Sequence, residues 1–146
     1  GKGIHLLEPG SRPRLLFEAL HKIQTMAVSP DGKYLALAAS RDLVVRDFDS
    51  HDTVTAEVRN YTLRPCLLWC DDNRLATSSG PVHPRIHIFD AKLRMIETIP
   101  QKGPVSCLWL DREQRLHAAI LELDAQKPMT VVRQEAAGMK EVAQLD

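Results

Sequence analysis

Cys66, Cys70, His83 and His87 are the residues of this chain whose types and spacing first suggest chemistry. The run Cys66-x3-Cys70-x12-His83-x3-His87 has the ligand spacing of a two-Cys, two-His zinc site, in which a hairpin and a helix hold a tetrahedral ion. The intervening residues oppose that chemistry. Such a site needs a large apolar residue four places after the second Cys and another three places before the first His. Arg74 and Gly80 stand there. The histidines would ride on a helix, yet Gly80, Pro81 and Pro84 interrupt it, and proline breaks a helix interior. Nucleophilic catalysis fares no better. Ser78 and Ser79 lie near His83 without a nucleophile elbow or an orienting acid. Asp71 and Asp72 are adjacent, so on a strand they point to opposite faces and in a turn they are solvated. There is no glycine-rich phosphate loop. His5, His51, His87 and His117 fall singly on or beside apolar runs, as surface or half-buried strand residues do. The expectation is a protein with no metal, no cofactor and no catalysis of its own.

Bulk composition narrows the partners. The chain has 146 residues, with 19 Lys+Arg balanced by 19 Asp+Glu and a pI near 7.2. Nucleic acid and anionic membrane surfaces both call for a positive excess, so neither is an expected partner. No apolar run approaches the ~20 residues of a membrane span; residues 34–39 are among the longest. Three cysteines at low density read as reduced thiols in the cytoplasm or nucleus, not as a disulfide framework. The chain opens Gly-Lys-Gly, with no basic-then-apolar leader. Hydrophobic residues make up 44% but aromatic ones only 5%, so Leu, Val, Ile and Ala must build the core.

The elements that would carry these residues repeat. Residues 25–39, 65–79 and 106–120 align at offsets of 40 (25 to 65) and 41 (65 to 106). In that alignment Met26 matches Cys66 and Cys107, Val28 matches Leu68 and Trp109, and Leu35 matches Leu75 and Leu116. A polar stretch separates two apolar runs each time: Pro30-Asp-Gly-Lys33, Cys70-Asp-Asp-Asn73, Asp111-Arg-Glu-Gln114. This is strand, tight turn, strand; Pro presets φ and Gly accepts positive φ. A third strand follows at Leu43-Val-Val-Arg-Asp-Phe48 and Arg85-Ile-His-Ile-Phe89, each closing on Phe-Asp, and at residues 129–133 without it. A fourth fits residues 53–58, 94–99 and, more weakly, 141–145. Residues 3–7 and 13–17 resemble the last two strands of an earlier unit. Only residues 134–146 are rich in helix formers, and Gly138 weakens that segment. By this alignment Trp109 faces inward, and the cysteines at the Met26 position pack between sheets; Trp69 sits at a strand end, where packing between blades is expected ahead of a partly exposed contact role.

Four short antiparallel strands per ~40 residues is the period of a β-propeller blade. Ser40-Arg-Asp-Leu-Val-Val-Arg-Asp-Phe-Asp49 resembles the turn and third strand of a WD40 repeat, and Ser29-Pro-Asp-Gly32 sits where that family places the same tetrapeptide. The resemblance covers residues 23–49 best. It implies that Asp42 is the turn Asp of the family's hydrogen-bonded set, Ser40 its second-strand Ser and His21 its leading His. Phe48 and Phe89 stand in place of the family's Trp. Residues 3–49 also resemble citron-homology propeller domains, which implies an alternative role in small-GTPase or trafficking regulation.

The expected architecture is therefore all-β: a half blade over residues 1–20, then blades over 21–60, 61–101 and 102–146. Three and a half blades fall short of the four to eight that close a ring. The expectation is a segment of a larger propeller, completed by the same polypeptide or by a second chain, with Ile4, Leu6, Leu15 and Phe17 on one open face and Val131 and Leu145 on the other. The expected function is a non-catalytic protein–protein interaction scaffold or adaptor in a multiprotein complex; a metal-binding or enzymatic propeller is the remoter alternative. Its contact residues should lie in the loops that join the fourth strand to the next first strand, and the second to the third: His21, Arg41, Arg59, Tyr61, His83 and Lys102. Arg, Tyr and His side chains in such loops are suited to protein recognition.

Overall fold

Runs of Leu, Val, Ile and Ala between turn residues favour extended backbone, because branched side chains pack well on a pleated surface. The computed structural model describes residues 3–18, 21–39, 41–58, 65–122 and 129–145. β1 (Gly3–Leu6) and β2 (Arg14–Glu18) form a two-stranded sheet. β3 (Ile23–Val28), β4 (Tyr34–Ala39), β5 (Asp42–Asp47) and β6 (Thr53–Glu57) form the first four-stranded blade. β7 (Leu67–Trp69), β8 (Arg74–Ser79), β9 (Arg85–Asp90) and β10 (Met95–Pro100) form the second. β11 (Val105–Leu110), β12 (Leu116–Leu121), β13 (Met129–Glu135) and β14 (Gly138–Leu145) form the third. Every pairing is antiparallel and each blade is a plain meander. Among the described residues there is no helix. The helix formers near the end instead make the β13–β14 hairpin, whose turn at Ala136 and Ala137 leads into Gly138 at φ 116°.

Alternation along the strands makes each blade apolar on both faces. Leu35, Leu37 and Val44 face back onto Ile4 and Phe17 of the two-stranded sheet. Ala36, Leu43 and Val45 face forward and meet Trp69, Leu75 and Phe89 of the second blade. Ala76, Ile86 and Ile88 meet Leu116, Ala118 and Ile120 of the third. Each fully buried Leu or Ile contributes about 1.5–3 kcal/mol. Strand β7 touches both β3 and β11, so the first strands line the inner row.

The ladders correct the expected alignment. Val28 pairs with Leu35, Trp69 with Leu75 and Leu110 with Leu116, so Val28 is equivalent to Trp69 and not to Leu68. The cause is a turn length: residues 29–34 close the first hairpin, against the shorter 70–74 and 111–115. A one-residue slip exchanges the two faces of a strand. Trp69 therefore points back into the first blade and is buried, while Trp109 lies on the forward face of the third blade, stacked on His117 with ring centroids 5.3 Å apart. Met26 is exposed and so is Cys107; of the three matched residues only Cys66 packs between blades. The Phe-Asp match also shifts. Leu35 pairs with Arg46 and Leu75 with Phe89, so Asp47, not Asp49, corresponds to Asp90. The expected first open face divides: Ile4 and Phe17 are covered by the first blade, whereas Leu15 is exposed.

Candidate functional site

Antiparallel meanders give each blade two ends with different connections. The hairpins between first and second strands and between third and fourth strands lie at one end, here called the turn end. The loops between second and third strands, and those leading to the next blade, lie at the other, the loop end.

The turn end is held by aspartates. Asp31, Asp47, Asp71, Asp90 and Asp111 each accept backbone N–H bonds from residues two to four positions on, at 2.8–3.1 Å. The Nε of Arg74, Arg94 and Arg115 donates to Asp71, Asp90 and Asp111 at 2.6, 2.7 and 2.8 Å. Bonds from the Arg115 backbone, then its guanidinium, hold the Asp111 carboxyl down at about 2. Burial alone would raise Asp90, but the backbone and side-chain bonds from Arg94 outweigh it and leave the carboxyl lowered. These capped turns tolerate left-handed backbone at His51, Leu93 and Gln114 as well as at Gly32. The turn end also joins blades: Asp31 N donates to Asp72 Oδ1 at 3.0 Å, and Trp69 Nε1 donates to Ala27 O at 3.2 Å while its ring stacks on Tyr34.

Among the described residues the loop end has no such set of capped turns. His21 and Asp42, the pair implied by the WD40 resemblance, approach to 3.8 Å with both side chains partly exposed; Ser40 lies outside the described residues. Arg41, His83 and Lys102 are exposed and no side-chain hydrogen bond or ion pair joins them to another described residue. Arg59 and Tyr61 lie outside the described residues. Lys102 sits on a loop pinned by Gly103, where a Cβ would clash with Leu121 O, and by the bond from Leu121 N to Pro104 O at 2.9 Å. The four described candidates do share this end.

The zinc spacing does not become a zinc site. Cys66 and Cys70 face the third blade, while His87 lies on the opposite side of the same sheet, facing the first. Burial pushes the Cys70 thiol up to about 11. Among the described residues no three His, Cys, Asp or Glu converge to hold a metal. Ser79 does meet a histidine, but it is His87, not His83: Ser79 Oγ lies 3.0 Å from Nε2, and Thr98 Oγ1 lies 3.2 Å from Nδ1. A hydroxyl at that second nitrogen cannot stabilise an imidazolium as a carboxylate does. Burial, then Arg85, holds the His87 pKa below its ordinary value.

No protein-family model matches the chain, and no curated protein does. Solved structures do. A chain of the mitotic checkpoint complex superposes with TM-score 0.69 over 90% of this chain at 17% identity. The complex of KlAtg21 with the coiled-coil of AgAtg16 superposes with TM-score 0.60 over 92% at 18% identity. The fold is a WD40-like β-propeller segment. The chain spans 41% and 44% of those two propeller chains. Porphyromonas gingivalis dipeptidyl peptidase 4 also superposes, with TM-score 0.67 over 90% of this chain and 27% of its own at 13% identity. Since that protein is by name an enzyme, the propeller alone does not decide chemistry.

Two clefts open at the loop end of this propeller segment. One, of about 250 Å3, lies between the first and second blades and is lined by Glu57, Val58, Ser79, His83, Arg85, His87, Phe89 and Met95. The other, of about 200 Å3, lies between the second and third, with Gln101, Lys102, Ile120, Glu122, Thr130, Val132, Met139 and Glu141 among its walls. Sequence reading missed Arg85 and Glu57, because nothing in a strand-edge Arg or Glu marks a cleft until the neighbouring blade is in place.

Proposed function

We propose that this chain is a non-catalytic interaction scaffold, a subunit of a multiprotein complex that receives partner proteins at the loop end of its blades. The observation that carries this reading is the contrast between the two ends. Five aspartates at the turn end are bound into their own hairpins, whereas the side chains of Arg41, His83 and Lys102 at the loop end form no hydrogen bond or ion pair with a described residue. Rigid blades presenting uncommitted loops suit recognition. That solved complexes contain propellers of this fold supports it at the level of fold. A cytoplasmic or nuclear setting accords with three unpaired thiols.

The test compares charge reversals at the two ends. Arg41→Glu, His83→Glu and Lys102→Glu together should strip stoichiometric partners from the affinity-tagged protein, scored by quantitative mass spectrometry. Lys92→Glu with Arg112→Glu at the turn end should leave them bound. Both variants should unfold within about 0.5 kcal/mol of the parent. Retention of every partner by the loop-end variant would overturn the reading.

A further inference from the structure

The two loop-end clefts are the same architectural position with different charge: Arg85 and Glu57 balance in one, whereas Glu122 and Glu141 outnumber Lys102 in the other. The ladders make them equivalent: Ser79 pairs with Arg85 in the second blade as Ile120 pairs with Thr130 in the third, and Thr77 with His87 as Ala118 with Val132. In the cleft between the second and third blades, Glu122 and Glu141 face Lys102, and the polar Thr130 is already satisfied by Glu122 at 2.8 Å. In the cleft between the first and second, Arg85 and His83 stand at a mouth that carries one acid, Glu57. Neither side chain engages another described side chain in a hydrogen bond or ion pair. The lining also includes two apolar side chains, buried Phe89 and the more exposed Met95. Through Glu57 this cleft adjoins a second cavity of about 480 Å3 that adds Arg41 and the His21–Asp42 pair.

Size and charge together select the occupant. About 250 Å3 is below the ~300–1,000 Å3 of sites that enclose a whole small ligand, and is suited to one long side chain. The uncommitted Arg85 guanidinium, with the His83 ring beside it as a further hydrogen-bonding group, suits an anion, which Arg holds through charge-assisted, bidentate bonds. Phe89 and Met95 favour an aliphatic stem behind that anion. Building on the scaffold reading above, we propose that the cleft between the first and second blades takes the acidic side chain of a partner's peptide. Its carboxylate or phosphate oxygens meet Arg85 and His83, and its stem lies on Phe89 and Met95. His87 stands at the back, both ring nitrogens held by Ser79 and Thr98, and keeps the cleft shaped.

The test titrates the intact protein with three acetylated, amidated peptides, Ala-Leu-Glu-Leu-Ala and its phosphoserine and Gln counterparts, while the imidazole resonances of His83 and His87 are followed by NMR. The Glu or the phosphoserine peptide should shift both histidines, and the tighter of the two names the anion. The Gln peptide should bind at least about tenfold more weakly. Arg85→Gln should weaken the acidic peptide by a similar factor, Arg85→Lys should restore part of it, and Lys102→Gln in the sister cleft should change it less than twofold. Equal binding of the Gln peptide, no shift with either acidic peptide, or full binding by Arg85→Gln would overturn the proposal. If acidic peptides fail while the loop-end charge reversals still release partners, this cleft is wrong and the scaffold reading stands. If the peptides bind while that variant keeps its partners, the scaffold reading is the one that fails.

Discussion

The turn end and the loop end are built from the same strands but follow different rules. At the turn end each of the five capping aspartates finds its backbone donors within four residues, so order is local and repeats from blade to blade: Asp71 with Arg74, Asp90 with Arg94, Asp111 with Arg115. At the loop end the connections differ in length, with residues 40–41 in the first blade against 80–84 in the second. Their charged side chains make few bonds among the described residues. Local saturation stabilises a blade and uses up its charge; variable loops leave charge available. The comparison therefore places the source of stability and the candidate for recognition at opposite ends of one meander.

The largest effect expected is at Trp69, which ties the first two blades together at the turn end. Trp69→Ala should cost about 3–5 kcal/mol in chemical denaturation, and Trp69→Phe, which keeps most of the packing but loses the bond to Ala27, about 1 kcal/mol. A Trp69→Ala loss no larger than that of the loop-end triple variant would break the comparison. Next comes Asp90→Ala, which frees the N–H groups of Lys92 and Arg94 and the Arg94 guanidinium; a loss of about 1–3 kcal/mol is expected.

The smallest effects are those of pH, and they carry the same sign at the two ends: both groups are lowered, so both cost stability as pH falls, in different windows. His87 has a folded pKa below its ordinary 6.5, so the unfolded chain takes up the proton first. Stability should be level above about pH 6.5 and fall below it towards the folded value, and His87→Gln should flatten that segment of a melting-temperature profile. Asp111 behaves as a lowered carboxyl: its contribution is complete above the ordinary 3.8 and is lost as pH falls towards about 2. Asp111→Asn should change the profile at every pH above that window and converge with the parent at its acid end. A profile for His87→Gln parallel to the parent through pH 6 would show that the histidine is less buried than its contacts imply.

Much of the fold was legible in the residues. The polar stretches at 30–33, 70–73 and 111–114 do mark the hairpins, and the strands expected at 53–58 and 94–99 appear as Thr53–Glu57 and Met95–Pro100. Turn chemistry and alternation act over a few residues, so a sequence shows them directly. The candidate site was legible only as an end of the blade. Meander topology alone puts His21, Arg41, His83 and Lys102 together, but the clefts beside them need a neighbouring blade to exist.

The sequence by itself determined an all-β chain, a four-strand unit of about forty residues and polar tight turns; the aspartate caps of those turns, read from sequence as solvated at Asp71, came only from the structure. Only the tertiary structure decided the register inside that unit. The first hairpin is longer by one residue and the second-to-third loop of the second blade is longer by three, so offsets that look constant along the chain do not match the strand ladders. Side chains on a strand alternate with period two, and a slip of one residue carries a tryptophan from one sheet face to the other. That is why Trp69 proved to be the bolt between blades and Trp109 a forward-facing ring over His117. It is also why four residues with zinc spacing ended on opposite sides of one sheet: spacing counts residues along the chain, whereas ligands must converge in space.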